Sequence, residues 1–247
     1  MKKILITRPI EDAKETALIF QKEGFKVVIS PIITIQPIDY KLEALKNYPY
    51  IITSSNALRI LVKILKNRDN LLFCIGKKTA QTAKELGFKN VIYPESKNYS
   101  PSIKSLEDFL LKNFQQNKNY LHFCGKDTAD EFTKINVEKH IIYESKFNPE
   151  FNLKPEMADI LTFFSPLSAR YFLEYAQNNN ILEAIKPLVI YTLSDSVAKI
   201  FSSIGCINIY SAEKITGNVS ADNLIKLIID NERSKSKQTS GKQIGGK

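Results

Sequence analysis

Tryptophan is absent from the 247 residues, and the two histidines, His122 and His140, both fall in apolar runs that read as strands. Each is expected to be a packed strand residue rather than a catalyst. Cys124 lies near His122, but a third ligand of suitable spacing is lacking, so no metal site is expected. The three cysteines, Cys74, Cys124 and Cys206, form no CxxC pair and sit in or beside apolar runs. That excludes a disulfide scaffold and fits buried thiols in a reducing compartment. Glycine, at nine, is too scarce for a collagen-like or low-complexity chain. No apolar run approaches the roughly 20 residues that span a bilayer. The opening Met1-Lys-Lys-Ile-Leu-Ile-Thr-Arg8 lacks the apolar stretch of a signal peptide. A cytoplasmic protein is expected, with no membrane partner.

Familiar catalytic motifs are missing too. No GxGxxG follows a strand, no GxxxxGK[ST] is present and no GxSxG elbow occurs. The usual dinucleotide, P-loop and nucleophile-elbow chemistries are thereby excluded. The formal charge is +9. Residues 231–247 hold five Lys/Arg and one Glu, which leaves the remaining body mildly basic. Such a body suits a solvated surface or an acidic ligand. No RRM, KH or helix-turn-helix signature accompanies it, so no nucleic-acid partner is expected.

What is present is alternation. Short apolar runs read as strands at 4–7, 27–33, 50–53, 71–75, 91–93, 120–124, 140–143, 160–164, 188–192 and 207–210. Continuous apolar strands are buried on both faces, as in a parallel sheet between helix layers. Helical spacing links them, as in Ala57, Leu58, Leu61, Val62 and Leu65. Ten strands are many for one sheet. A shift of 118 residues lays Gly76-Lys-Lys-Thr-Ala80 over Ser194-Asp-Ser-Val-Ala198 and pairs Gly87 with Gly205; a shift of 111 pairs Ser54 with Ser165. Two similar five-stranded α/β domains are expected. Prolines near 35–39 and 146–149 mark linkers. The first domain then comprises 1–35 plus 152–232, and the second, 40–143, is inserted into it through linkers 36–39 and 144–151. Residues 233–247, rich in Ser, Lys, Gln and Gly, are expected to be a disordered basic tail.

Ligands of open α/β sheets bind beyond the carboxyl ends of the strands. The residues there are Thr7-Arg8-Pro9, Thr53-Ser54-Ser55-Asn56, Gly76-Lys77-Lys78-Thr79, Gly125-Lys126-Asp127-Thr128, Ser165-Pro166-Leu167-Ser168 and Ser194-Asp195-Ser196. Each turn alone reads as an ordinary helix cap. Together their amides, hydroxyls and helix dipoles would suit a ligand with several carboxylates.

The ordered series Ile4-Leu-Ile-Thr-Arg-Pro9, Ile51-Ile-Thr-Ser54, Phe73-Cys-Ile-Gly-Lys-Lys-Thr-Ala80, Phe123-Cys-Gly-Lys126, His140-Ile-Ile-Tyr143, Phe163-Phe-Ser-Pro166 and Ser194-Asp-Ser-Val-Ala198 resembles the uroporphyrinogen-III synthases over roughly residues 1–230. The resemblance implies two flavodoxin-like doubly wound parallel-sheet domains, one inserted into the other and joined by a two-stranded linker. It implies a cofactor-free, monomeric lyase that binds hydroxymethylbilane, with its eight carboxylates, in a cleft between domains. The product is uroporphyrinogen III, formed with inversion of ring D through a spiro intermediate and loss of water. Tyr143 matches the family tyrosine proposed to aid departure of the hydroxyl; on its own it reads equally as a strand-end aromatic. Arg8, Thr53, Ser54, Thr79, Gly125, Lys126, Ser165, Ser168, Ser194 and Ser196 are the implied substrate-binding positions. The preceding pathway enzyme is a conceivable partner. Val197 stands where some members carry threonine, which shifts any hydroxyl contact there to Ser196. The rival class is a non-catalytic, two-domain binding protein for a polyanionic small molecule.

Overall fold

A computed structural model describes residues 2–40, 48–95, 99, 101–114, 119–128, 130–217 and 219–242. In chain order the elements are β1 (Lys3–Ile6), α1 (Ile10–Lys22), β2 (Lys26–Ile29), β3 (Ile33–Pro37), β4 (Tyr50–Ile52), α2 (Ser55–Ile64), β5 (Leu72–Cys74), α3 (Lys77–Glu85), β6 (Val91–Ile92), α4 (Ile103–Asn113), β7 (Asn119–Gly125) and β8 (Asn136–Phe147). After a 3-10 turn at Pro155–Met157 come β9 (Ile160–Phe163), α5 (Pro166–Asn178), α6 (Leu182–Ile185), β10 (Val189–Thr192), α7 (Asp195–Ser202), β11 (Ile209–Ser211), α8 (Ala212–Thr216) and α9 (Ala221–Lys242). No described helix is long and apolar enough to cross a membrane.

Two compact units emerge, Met1–Thr34 with Phe147–Lys247, and Ile35–Lys146. The chain changes unit inside β3 and at the last residue of β8, neighbouring strands of one sheet. The segments expected as linkers, 36–39 and 144–151, thus contain the ends of these two strands. The run expected as one strand over 27–33 is broken at Ser30-Pro31, because proline cannot donate to a ladder.

The first unit's sheet runs β11-β10-β9-β1-β2, with every adjacent pair parallel. In the second the order is β3-β8-β7-β4-β5-β6, parallel from β8 to β6. Numbered within its own unit, the first sheet has the order 2-1-3-4-5 of flavodoxin-like folds. Laid out in space, β6-β5-β4-β7-β8 repeats that arrangement, but its two strands beyond the reversal come last in the chain instead of first. The second unit is therefore a circular permutation of the first.

Alternation along each strand sends side chains into two apolar layers. In the second unit Tyr50 and Ile52 join a cluster with Ala57, Leu58 and Leu61 of α2, while Ile51 joins Leu106 and Leu110 of α4. In the first, Ile4 and Ile6 pack with Phe20 of α1 and Leu224 of α9. Phe163 faces the other way, onto Phe172 of α5 and Phe201 of α7, at ring distances of 4.9 and 4.5 Å.

The disorder expected beyond Glu232 is corrected over residues 233–242, which continue α9. Basic side chains anchor the extension. Arg233 pairs with Glu23, and Lys235 Nζ lies 2.9 Å from Glu232 and 4.7 Å from the ring centre of Tyr210. Residues 243–247 of the expected tail lie outside the described residues. The Glu232 side chain is only 4 % exposed and also accepts hydrogen bonds from Tyr191 Oη at 2.8 Å and Lys2 Nζ at 2.5 Å. Burial alone would raise its pKa, but these donors outweigh burial and hold the carboxyl below its usual range. A depressed carboxyl pKa adds stability above the unfolded-state value, and that stability is lost as pH falls through the folded-state value. Glu232→Gln is expected to cost about 2 kcal/mol at pH 7. Urea melts should show the gap to wild type closing below about pH 4.

Candidate functional site

Strand interiors are filled mostly by apolar side chains, and the turns at the strand ends carry most of the polar groups of the candidate site. In doubly wound sheets the ligand crevice opens at the carboxyl ends of the two strands where the winding reverses. Those strands are β1 and β9 in the first unit, and β4 and β7 in the second.

At the second unit's reversal, Ser54 adopts extended backbone and caps α2, its Oγ accepting from Asn56 N at 3.1 Å. Thr53 Oγ1 lies 3.1 Å from Nε2 of His122, which is buried in β7. Burial, and secondarily the charge of Lys139, lowers the His122 pKa to about 4, so the imidazole is neutral at pH 7. Tyr143, on β8, sends its Oη across β7 to donate to Ser54 Oγ at 3.3 Å. Gly125 ends β7; its carbonyl accepts from Thr128 Oγ1 at 2.7 Å, and Lys126 N donates to the Tyr143 carbonyl at 2.9 Å. Thr53, Ser54, Gly125 and Tyr143 are thus brought together, with Lys126 joined through its backbone.

Thr79 stands one strand further along, buried in the first turn of α3. That helix starts after Gly76, which makes no side-chain cap, and its first turn holds Lys77 and Lys78 with no acidic residue. Lysines there oppose the helix dipole and strengthen an already positive end, which favours an anion. Ser55 Oγ and Thr82 Oγ1, 3.2 Å apart, tie α2 to α3.

At the first unit's reversal, Thr7 Oγ1 donates to the Thr162 carbonyl at 2.8 Å, and Thr162 Oγ1 to the Leu5 carbonyl at 2.7 Å. Arg8 is buried. It donates to Asp12 Oδ2 at 2.9 Å and Thr16 Oγ1 at 3.1 Å, and stacks 4.5 Å from the Phe164 ring centre. Much of the charge expected to steer a ligand is therefore spent orienting α1. Ser165 caps α5 by accepting from Ser168 N at 3.1 Å, and the two hydroxyls sit 2.7 Å apart. At the end of β10, Ser194 and Ser196 hydroxyls are 2.8 Å apart, and Asp195 N donates to Glu213 Oε2 at 2.9 Å. An internal carboxylate thus already occupies one amide at the start of α7.

A sequence model of the family described as Uroporphyrinogen-III synthase HemD matches residues 14–218. The chain belongs to that family. Its enzymes are cyclising lyases. A curated relative, the putative uroporphyrinogen-III synthase of Methanocaldococcus jannaschii, is 29 % identical over 234 residues, covering 82 % of this chain and 90 % of its own. Among solved structures, uroporphyrinogen-III synthetase from Helicobacter pylori superposes with a TM-score of 0.58 at 18 % identity, over 93 % of this chain and 99 % of that one. A mutant uroporphyrinogen III synthase from Thermus thermophilus gives 0.50 at 13 % identity, over 96 % and 100 %. At such identities the two structures speak for the fold alone.

Sequence reasoning missed three partners. Asp12 could have been found, since it lies four residues from Arg8. His122 against Thr53 and Glu213 against α7 arise from packing between distant segments and left no local signal. The His122 ring resonances are expected not to titrate between pH 8 and 5 in an NMR series. Because the folded-state pKa lies below the unfolded value, His122 contributes stability that declines as pH falls from about 6.5 to 4. His122→Gln should flatten that part of the acid denaturation profile.

Proposed function

We propose that the chain is a uroporphyrinogen-III synthase that cyclises hydroxymethylbilane to uroporphyrinogen III, inverting ring D with loss of water. Family membership supports the reaction class. The observation that carries the chemistry is the contact from Tyr143 Oη to Ser54 Oγ at the second unit's winding reversal. A phenol donates and accepts hydrogen bonds. Donating to the terminal hydroxyl of the bilane, Tyr143 helps that group leave as water and an electrophilic azafulvene form. The substituted α-carbon of ring D attacks it to give a spiro intermediate. Fragmentation and rejoining then invert the ring, with no net change of oxidation state.

The uncatalysed reaction closes without inversion, so the enzyme's task is chiefly orientation. Carboxylate groups supply the handle. Thr53, Ser54, Thr79 and Lys126 in the second unit, and Ser165, Ser168, Ser194 and Ser196 in the first, present hydroxyls, a cation and helix N-termini suited to them. Arg8 supports its turn from within through Asp12 and Thr16.

The test is isomer analysis. Hydroxymethylbilane incubated with the protein and then oxidised should yield mainly uroporphyrin III. Type I alone, with bilane bound, would establish the rival binding protein instead. Tyr143→Phe, folded as judged by its melting curve, is expected to lower kcat about fivefold, because hydrogen bonding from one group is worth about one kcal/mol. Complete loss of turnover would contradict positioning shared among many groups.

A further inference from the structure

Tyr143 reaches Ser54 through an irregularity of the β7–β8 pairing. Cys124 faces Ile141 across β7 and β8, but Gly125 faces Tyr143. Ile142 is therefore an extra residue, a bulge in a parallel pair, where bulges are rare. In a regular strand Ile142 and Tyr143 would point to opposite faces. Here both are buried in the same apolar cluster, with Ile52, Leu58 and Phe123. The bulge turns the phenol inward, across the end of β7. A second feature lies directly beneath it. A Cβ on Gly125 would sit 2.6 Å from Tyr143 Cζ, 2.7 Å from Cε2 and 2.9 Å from Oη. The ring end occupies the space that any other residue at 125 would fill.

We infer that Gly125 is a positioning residue: together with the bulge at Ile142 it holds the Tyr143 hydroxyl on Ser54, and any side chain there displaces the phenol from the reacting end of the substrate. Gly125 then acts by leaving room and touches no carboxylate. The catalytic consequence rests on the synthase reading above; the geometry does not. The ring is rigid and packed in the core, so an added methyl moves the hydroxyl as well as the ring edge.

Gly125→Ala, Tyr143→Leu and the double variant test this. Leucine ends short of Cε2, Cζ and Oη, the atoms the new Cβ would meet, while keeping an apolar filler. In the wild-type background Gly125→Ala is expected to lower kcat by about fivefold, the loss expected for Tyr143→Phe, with KM within about twofold, and to raise the share of type I product. In the Tyr143→Leu background the same change should alter kcat by less than about twofold. Unchanged kcat and isomer share in the single variant, or equal losses in both backgrounds, would overturn the inference. Melting temperatures supply an arm that needs no turnover: alanine should lower Tm in the wild-type background and by less than half as much beside leucine. If Gly125→Ala alone does not fold, the double variant should; failure of both to fold counts against it. A wild-type protein that forms no type III isomer would remove the synthase reading, and the melting comparison would still decide the geometry.

Discussion

The inner strands of each sheet are buried on both faces, and that constraint governs where anything polar can go. Strands such as Ile160–Phe163 and Leu72–Cys74 carry no exposed residue on either side. Helices cover them on both faces, so a polar group in a strand interior must find a partner or incur its desolvation cost. The buried exceptions do so within the sheet, as Thr7 and Thr162 donate to carbonyls of neighbouring strands. Ser54, Ser165 and Ser194, with Lys77 and Lys78, lie instead at the carboxyl edge, where a strand hands over to a helix.

The weak internal repeat acquires meaning from the sheet orders. The segments related by shifts of 118 and 111 residues are the β-α-β-α-β halves that keep the same chain order in both units. Ser54 and Ser165 both cap helices with their side chains, and Gly87 and Gly205, three residues beyond α3 and α7 at most, share a φ of +88°. A left-handed residue at a helix end favours glycine, so these two survive as matched marks. The other two strands of each unit show no such match at those shifts. Permutation places them before the repeat in one unit and after it in the other.

The carboxyl-edge turns were legible because small polar residues after an apolar run are a local signal. What each turn does was not. Arg8 reads as a cation free to meet an anion until Asp12 and Thr16 are seen to hold it. Val27 to Ile33 reads as one strand, yet Pro31 divides it between the edge of the first sheet and the start of the crossing strand. The Ser- and Lys-rich end reads as solvent-loving tail, yet its first basic residues fasten α9 back onto the unit through Glu23 and the Tyr210 ring. In each case composition was read correctly and the partner lay elsewhere in the chain.

Sequence alone determined the α/β class, the number of strands among the described residues to within one, the split into two units and the polar turns at the carboxyl ends of the strands. All of these follow from periodicity, proline, glycine and capping residues, which act over a few neighbouring positions. Only the tertiary structure decided the strand orders, the neutral His122 behind Thr53, the carboxylate of Glu213 at α7 and the aim of Tyr143. Those depend on contacts between residues far apart in the chain, 89 positions for Tyr143 with Ser54 and 156 for Ile4 of β1 beside Ile160 of β9. A bulge of one residue between β7 and β8 redirects a side chain without leaving any trace in the hydrophobic pattern.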